Sequence, residues 1–438
     1  MDKIIRSISL KEFENIRSIF SSLRSRNYRL YFTGQGISLT GSWMQNIALS
    51  WLVYRLSGSV FLLGFIAFST EIPNFILSPF TGVLTDRFNR QRIMILAQGC
   101  FLLQALTMAL LVLLGFIEVW HIFTLSILFG IISAFEAPAR QSLVVDLIDK
   151  PEDLGNAIAL NSALFNGARL VGPAVAGITI ALVGEGICFL INAVSFIAVI
   201  IALWLLKIPK KPRVLKTVNF RESFKEGLHY TFQSVPIRTL LLTLAALSLV
   251  GLPFMVLLPA YAKEILKGGS GTLGFLMSAL GAGALAGAIY LAARNSVLGL
   301  GKIISLSTIV LGLAIIAASF SHTLHLSLAA FFFAGFSMIL SIAAINTMLH
   351  ALADEDKRGR VMSFYAMALM GTVPIGNLLA GSIASGIGIA ATLLLGGIIT
   401  ALAGIWFEIN RKTLRRHIHP IYRSKGILPD PGEEQNKG

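Results

Sequence analysis

Glu71, Glu136 and Arg169 are ionisable residues set inside long apolar runs. An Arg, Lys or Asp at the centre of a lipid-inserted helix costs about 2.5–3.5 kcal/mol, so such a residue is a functional candidate by default. Glu71 lies near the middle of its run, Arg169 near the middle of another, and Glu136 closer to an end. A carboxylate in that setting can take a proton from one side and release it to the other, and Glu71, then Glu136, are the candidate carriers. The other reading is a fixed ion pair, with Arg169 as the charge partner of Glu71, which holds a bundle together and never titrates. Gln35, Ser38, Ser42 and Asn46 recur at spacings of three and four, one polar stripe on an otherwise apolar helix, with Trp43 and Gln45 beside it. Such a face suits a cavity that receives a small-molecule substrate. Asn161, Asn166 and Asn346 are weaker candidates, because a lone amide in an apolar helix often bridges to a neighbour. Phe165, Met338, Met367 and Met370 could line an adaptable apolar wall, although scattered Met and Phe are more often plain packing or lipid contacts.

The elements that must position these residues are helices in lipid. Of the 438 residues 55% are hydrophobic and only 13% charged, with a mean hydropathy of +0.76, whereas an ordinary soluble domain is about 25% charged. Lipid cannot satisfy backbone hydrogen bonds, so spanning segments are helices or closed barrels, and unbroken apolar runs exclude the alternation of a barrel. Runs of about 20 residues, enough to cross the hydrocarbon, lie at 30–53, 60–81, 93–115, 121–138, 157–182, 187–206, 237–260, 272–293, 303–320, 324–350, 361–384 and 388–408. The reading is an all-α membrane protein of about twelve transmembrane helices in two six-helix halves.

Charge sets the expected orientation. The net charge of +14 is concentrated in both termini, 82–92, 139–156, 207–236, Arg294 with Lys302, and 353–360. The opposite set of turns holds Arg55, Lys263, Lys267 and little else. By the positive-inside rule both termini are cytoplasmic, and the basic balance needs no nucleic acid. Residues 1–27 alternate Ile4, Ile5, Ile8, Phe13, Ile16, Phe20 and Leu23 with cations, as an amphipathic segment on a membrane surface does. The expected layout continues with a first half at 28–206 and a cytoplasmic linker at 207–236 that carries an amphipathic helix. A second half at 237–410 and a mobile cytoplasmic tail at 411–438 complete it.

The halves read as copies. An offset of about 204 residues sets Gly155 on Gly359, Gly172 on Gly376, Gly177 on Gly381 and Gly184 on Gly388, and an offset of about 210 sets Gly64 on Gly274. An even number of spans per half keeps both copies in the same orientation. Cys100 and Cys188 sit in apolar runs and suggest neither disulfides nor a metal cluster. His322 and His325 lack acidic neighbours, so no metal site is expected. No phosphate-binding GxxxxGK or metalloprotease HExxH is present, so no cofactor and no enzymatic activity are expected.

Three stretches carry a resemblance to the major facilitator superfamily. The segment 82–92, with Gly82, Asp86, Arg87, Arg90 and Arg92, resembles its loop between the second and third helices, with Asn89 where a second glycine is usual. The run of Gly167, Arg169, Gly172, Pro173 and Gly177 resembles the fifth-helix motif of exporters. Glu136, Pro138, Arg140 and Gln141, followed by Asn156 and Asn161, are similar to the macrolide-efflux and siderophore-exporter branch. Two departures accompany these: Ser126 replaces the fourth-helix arginine linked to proton coupling, and the second-half counterpart around Arg294 has no acidic residue.

The resemblance implies a conformational latch of Gly82, Asp86, Arg87, Arg90 and Arg140, with Asp86 meeting Arg140, and control that is unequal between the halves. The alternative is that the arginines only set topology and Asp86 is solvated. Gly167, Gly172, Pro173 and Gly177 imply a helix pivot, or ordinary close packing. The implied function is export of an amphipathic or hydrophobic small molecule, drug- or siderophore-like, by alternating access with proton antiport. The setting is a bacterial inner membrane, and the protein a monomer. The alternatives are a lysophospholipid or lipid flippase of the same fold, and a non-transporting membrane sensor or assembly factor.

Overall fold

The computed structural model describes residues 21–148, 150–208, 220–294, 296–355, 357–426 and 428, with the side chains of 79, 82–84, 86, 87, 151 and 220–224 outside that description. The helices are α1 (Arg26–Ser57), α2 (Val60–Arg87), α3 (Arg90–Leu113), α4 (Val119–Asp146), α5 (Leu154–Val183), α6 (Glu185–Trp204) and α7 (Phe220–Gln233). They continue with α8 (Val235–Ile265), α9 (Ser270–Ala292), α10 (Leu300–Phe320), α11 (Leu324–Leu352), α12 (Arg358–Ile387) and α13 (Ile389–Ser424). Among the described residues eleven helices are long and apolar enough to cross a membrane. The remaining long helix, α1, has 32 residues, ample length for a span; Arg26, Arg29 and the polar stripe from Gln35 to Asn46 dilute its apolar character. With α1 the count reaches the expected twelve.

Contacts divide the described residues into two compact units, one within Met1–Leu49 and Ile76–Leu215 and the other within Ser50–Phe75 and Lys216–Gly438. The end of α1 and the first half of α2 therefore belong with the second unit, whereas the charge and repeat pattern draws the division at the linker.

In the first unit small residues let helix axes approach closely, the usual way to gain packing energy where lipid offers no hydrophobic drive. A Cβ at Gly34 would lie 2.8 Å from Ala202 Cβ, and one at Gly41 2.5 Å from Asn192 Oδ1, so α1 rests on α6 at both points. In the second unit Gly283 and Gly335 bring α9 and α11 backbone to backbone. A Cβ at Gly404 would lie 2.7 Å from Ile309 Cγ1, which seats α13 on α10. Helix α8 passes through π and 3₁₀ turns around Pro253 and Pro259, where proline removes the donors a regular ladder needs.

Two boundaries differ from the sequence reading. Helix α2 runs on to Arg87, so the turn before α3 is only Phe88 and Asn89. Asn89 caps α3 by accepting from Arg92 N at 3.2 Å, which gives the residue in the glycine position a role of its own. Residues 411–424 are helical rather than a mobile tail. Leu414, Ile418 and Tyr422 recur every four residues, are buried, and join the core of the second unit, while Lys425 Nζ donates to Ala353 O at 2.6 Å. Residues 1–20 and 209–219 lie outside the description. The linker helix α7 leaves Leu228 and Phe232 exposed and is tied to its own unit by Glu226 with Arg360 at 2.5 Å and by Tyr230 donating to Asp354 at 3.0 Å.

Candidate transport site

The first unit gathers a polar cluster inside apolar helices. On α4, Arg140 Nε donates to Glu136 Oε1 at 2.9 Å, one helical turn apart, and Arg140 Cζ stands 4.6 Å from the centre of the Phe165 ring on α5. Tyr31, one turn before Gln35 on α1, feels both charges and packs in a core with Ala139, Ala157 and Leu160. Asn161 follows Leu160 on α5. Tyr31 Oη, Gln35 Oε1 and Asn161 Oδ1 are buried with no hydrogen-bond partner among the described residues. An unsatisfied buried polar group costs about 1–3 kcal/mol, so each of these three atoms is a position where a hydrogen-bonding partner would be stabilising.

A second polar system lies elsewhere along α1. Gln45 Nε2 donates to Gln104 Oε1 at 3.1 Å, Asn192 Nδ2 donates to Gln45 Oε1 at 2.7 Å, and Ser195 Oγ donates to Asn192 Oδ1 at 2.9 Å. Gln104 Nε2 then reaches Leu125 O at 3.3 Å, so four helices are tied by one chain of amides. The sequence reading placed Gln45 only beside the stripe and missed Gln104 and Asn192. Their signal was present as amides in the middle of apolar runs, but nothing in the sequence pairs them. Replacing Asn192 with Ala is expected to lower stability by about 0.6–2 kcal/mol, the range for hydrogen bonds between membrane helices, read as a lower unfolding temperature of the purified protein.

The other predicted residues are placed as follows. Arg169 Cζ lies 5.6 Å from the Trp43 ring centre. Ser42 and Trp43 are half-buried, Ser38 is buried and Asn46 exposed. Gly172 is where α5 touches α1: a Cβ there would lie 2.5 Å from Trp43 Cβ and 3.0 Å from Thr40 O. Pro173 and Gly177 are buried in the same helix, and a Cβ at Gly167 would meet nothing within 4 Å. Of the latch residues, the side chains of Gly82, Asp86 and Arg87 lie outside the description. Arg90 Nη1 donates to Asp146 Oδ2 at 2.7 Å and to Ser142 O at 3.2 Å, and Arg140 is held by Glu136.

In the second unit Glu71 has an exposed side chain. Its carboxylate has no hydrogen bond or ion pair among the described residues. Asn346 on α11 neighbours Tyr365 on α12. In the segment shared with this unit, Tyr54 donates to Glu264, Lys263 Nζ stands 5.4 Å from the Tyr54 ring centre, and Gly64 packs directly on Gly381 and Asn377 of α12.

Long apolar helices joined by small-residue crossings and amide bridges, with isolated charges and orphan polar atoms inside, are the build of a polytopic membrane protein and agree with the major facilitator superfamily that the sequence motifs resemble. The chain belongs to the transmembrane secretion effector family of that superfamily, which it matches over residues 17–417. It is 27% identical to the staphyloferrin A transporter of Staphylococcus aureus over 88% of this chain and 96% of the relative. It is 24% identical to the multidrug efflux pump Tap of Mycolicibacterium fortuitum, over 85% and 91%. To macrolide efflux protein A of Streptococcus pyogenes it is 24% identical, over 85% and 93%. Among solved structures, a bacterial homologue of the lysosomal transporter Spinster, inward-facing and occupied, aligns with a TM-score of 0.70 at 14% identity, over 90% of this chain and 98% of that one. A bacterial homologue of the iron transporter ferroportin aligns with a TM-score of 0.65 at 17% identity, over 87% and 98%. These structural matches establish the fold.

Proposed function

We propose that this chain exports an amphipathic small molecule, drug- or siderophore-like, by alternating access in exchange for protons. The observation that carries the reading is the cluster on α1, α4 and α5, where the Glu136–Arg140 pair, the Phe165 face and the unsatisfied atoms of Tyr31, Gln35 and Asn161 offer charge, stacking and hydrogen bonds to one guest. Relatives named for siderophore and drug transport support the substrate class. Glu71 supports the coupling, since a carboxylate without a fixed partner is free to change protonation state, whereas Glu136 is engaged by Arg140. On this reading Arg169 acts through its stacking on Trp43, and Gly82, Asp86, Arg87 and Arg90 control closure at the basic side.

On the same reading both termini lie in the cytoplasm of a bacterial inner membrane, which the distribution of Lys and Arg supports, and the working unit is a monomer. The test is reconstitution into liposomes of defined orientation, following a fluorescent amphipathic cation and a siderophore-like anion together with a pH-sensitive dye. Substrate movement from the basic-terminus side, accompanied by opposite proton movement, is the expected result. Substrate movement with no proton flux under any imposed gradient would overturn the antiport.

A further inference from the structure

A cavity of about 320 Å³ lies wholly within the second unit, where the start of α10 meets the extension of α13. That volume is at the lower end of the range for small-molecule sites, about 300–1,000 Å³. Its interior is apolar, walled by residues such as Leu240, Met348 and Phe407, and its rim is cationic, with Lys302, Arg415 and His419. Arg411 also borders it, but its guanidinium is occupied: Nε and Nη2 both bond the Glu408 carboxylate, which in turn accepts from Ser305 at 2.6 Å. Lys302 and Arg415 are exposed and carry no salt bridge of their own among the described residues; Arg415 donates only to His419, at 2.9 Å. Tyr422 lines the cavity, is 4% exposed, and its hydroxyl has no hydrogen-bond partner among the described residues. The pocket thus has an apolar floor, a buried hydroxyl without a partner among the described residues, and an excess of positive charge at its mouth, where Glu408 faces Lys302 as well as Arg411.

We propose that this cavity binds an anionic phospholipid, taking the first part of an acyl chain against Phe407 and Met348 and the phosphate between Lys302 and Arg415. Charge complementarity selects the occupant. A zwitterionic lipid offers the same chain but brings its own cation to the two that are already there. The position fits as well, because Lys302 stands at the start of the apolar stretch of α10 and Arg415 about two turns beyond that of α13, on the side where a headgroup lies. Bound there, the lipid would brace the extended α13 against α10. The site is separate from the polar cluster of the first unit, so the inference does not depend on the identity of the transported molecule.

The test is native mass spectrometry and thermal unfolding of the purified full-length protein with phosphatidylglycerol or phosphatidylcholine of matched chains. Phosphatidylglycerol is expected to bind more tightly and to raise the unfolding temperature. Replacing Lys302 and Arg415 together with Gln should weaken its binding about ten- to thirty-fold, the effect of two surface cations near an anionic lipid, and leave phosphatidylcholine unchanged. Gly301→Leu keeps the rim and fills the cavity, since a Cβ there has no neighbour closer than 3.8 Å, and it should also abolish the preference. Equal binding of the two lipids, or wild-type binding by the double variant, would overturn the proposal. So would stabilisation by inorganic phosphate alone, which would make this an anion site without a chain. Lipid binding that requires removal of residues 429–438 would assign the cavity to the acidic tail instead.

Discussion

Glu71→Gln is expected to leave a folded transporter that still exchanges substrate across the membrane but no longer accumulates it against a gradient, with pH-driven export reduced at least about ten-fold. Intramembrane carboxylates are costly and persist where they move charge, and Gln matches the shape of Glu while holding no exchangeable charge. The distinction from Glu136 rests on partners. Glu136 is bonded to Arg140 at 2.9 Å, so Glu136→Gln removes half of an ion pair and leaves the guanidinium over Phe165 without its counter-charge. That change should cost stability, about 1–3 kcal/mol for a charged hydrogen bond in a partly buried site, and impair substrate binding along with transport. Glu71 has no such partner among the described residues, so its loss should appear in coupling and not in unfolding temperature. The measurement is paired: counterflow exchange without a pH gradient, and uphill transport with one, in the same liposomes. If uphill transport survives in Glu71→Gln, the proton travels by another group.

How much of this could be read from the chain depends on whether the signal was local. Helix positions were legible because about twenty apolar residues in a row have few other solutions in lipid. The candidates Gln35, Glu136, Arg140 and Asn161 were legible one by one as polar residues in apolar helices. Their grouping with Tyr31 was not, because it arises from the packing of α1 against α4 and α5, and a tyrosine in an apolar run gives no sign that its hydroxyl is unpaired. The same holds for Gln104 and Asn192, whose bridge through Gln45 joins positions far apart in sequence.

The reading of 411–424 as a tail followed from its cations and Pro420, but the period-four stripe of Leu414, Ile418 and Tyr422 outweighs them once a packed neighbour is available. A proline at the last turns of a helix removes only a donor near the fraying end. The segment 50–75 was assigned by chain order to the first half. It groups with the second unit, and among its contacts there are Gly64, whose missing side chain lets α2 reach the backbone of α12, and Tyr54, which donates to Glu264.

The fifth-helix glycines are not equivalent, and this yields a prediction that separates a pivot from a motif carried for appearance. Gly172→Leu is expected to abolish transport and lower stability by about 1–3 kcal/mol, the usual cost of overpacking a close contact. Even the first added carbon would lie 2.5 Å from Trp43 Cβ and 3.0 Å from Thr40 O. Neither obstacle can move cheaply. Thr40 O is backbone of α1, and the Trp43 Cβ is fixed to that backbone, with Arg169 Cζ 5.6 Å from the ring centre. At Gly167, five residues earlier on the same helix, the first added carbon meets no atom within 4 Å, so Gly167→Leu should be tolerated in stability within about 0.5 kcal/mol. If Gly167→Leu nonetheless stops transport while the protein remains folded, space at Gly167 is needed only in another conformation of the cycle, and the pivot reading gains direct support. If Gly172→Leu transports normally, α5 and α1 are not held at this crossing during turnover, and the glycine there is a matter of packing convenience alone. Unfolding temperature and initial transport rate, measured on the two variants side by side, separate these outcomes because they report the resting state and the moving one independently.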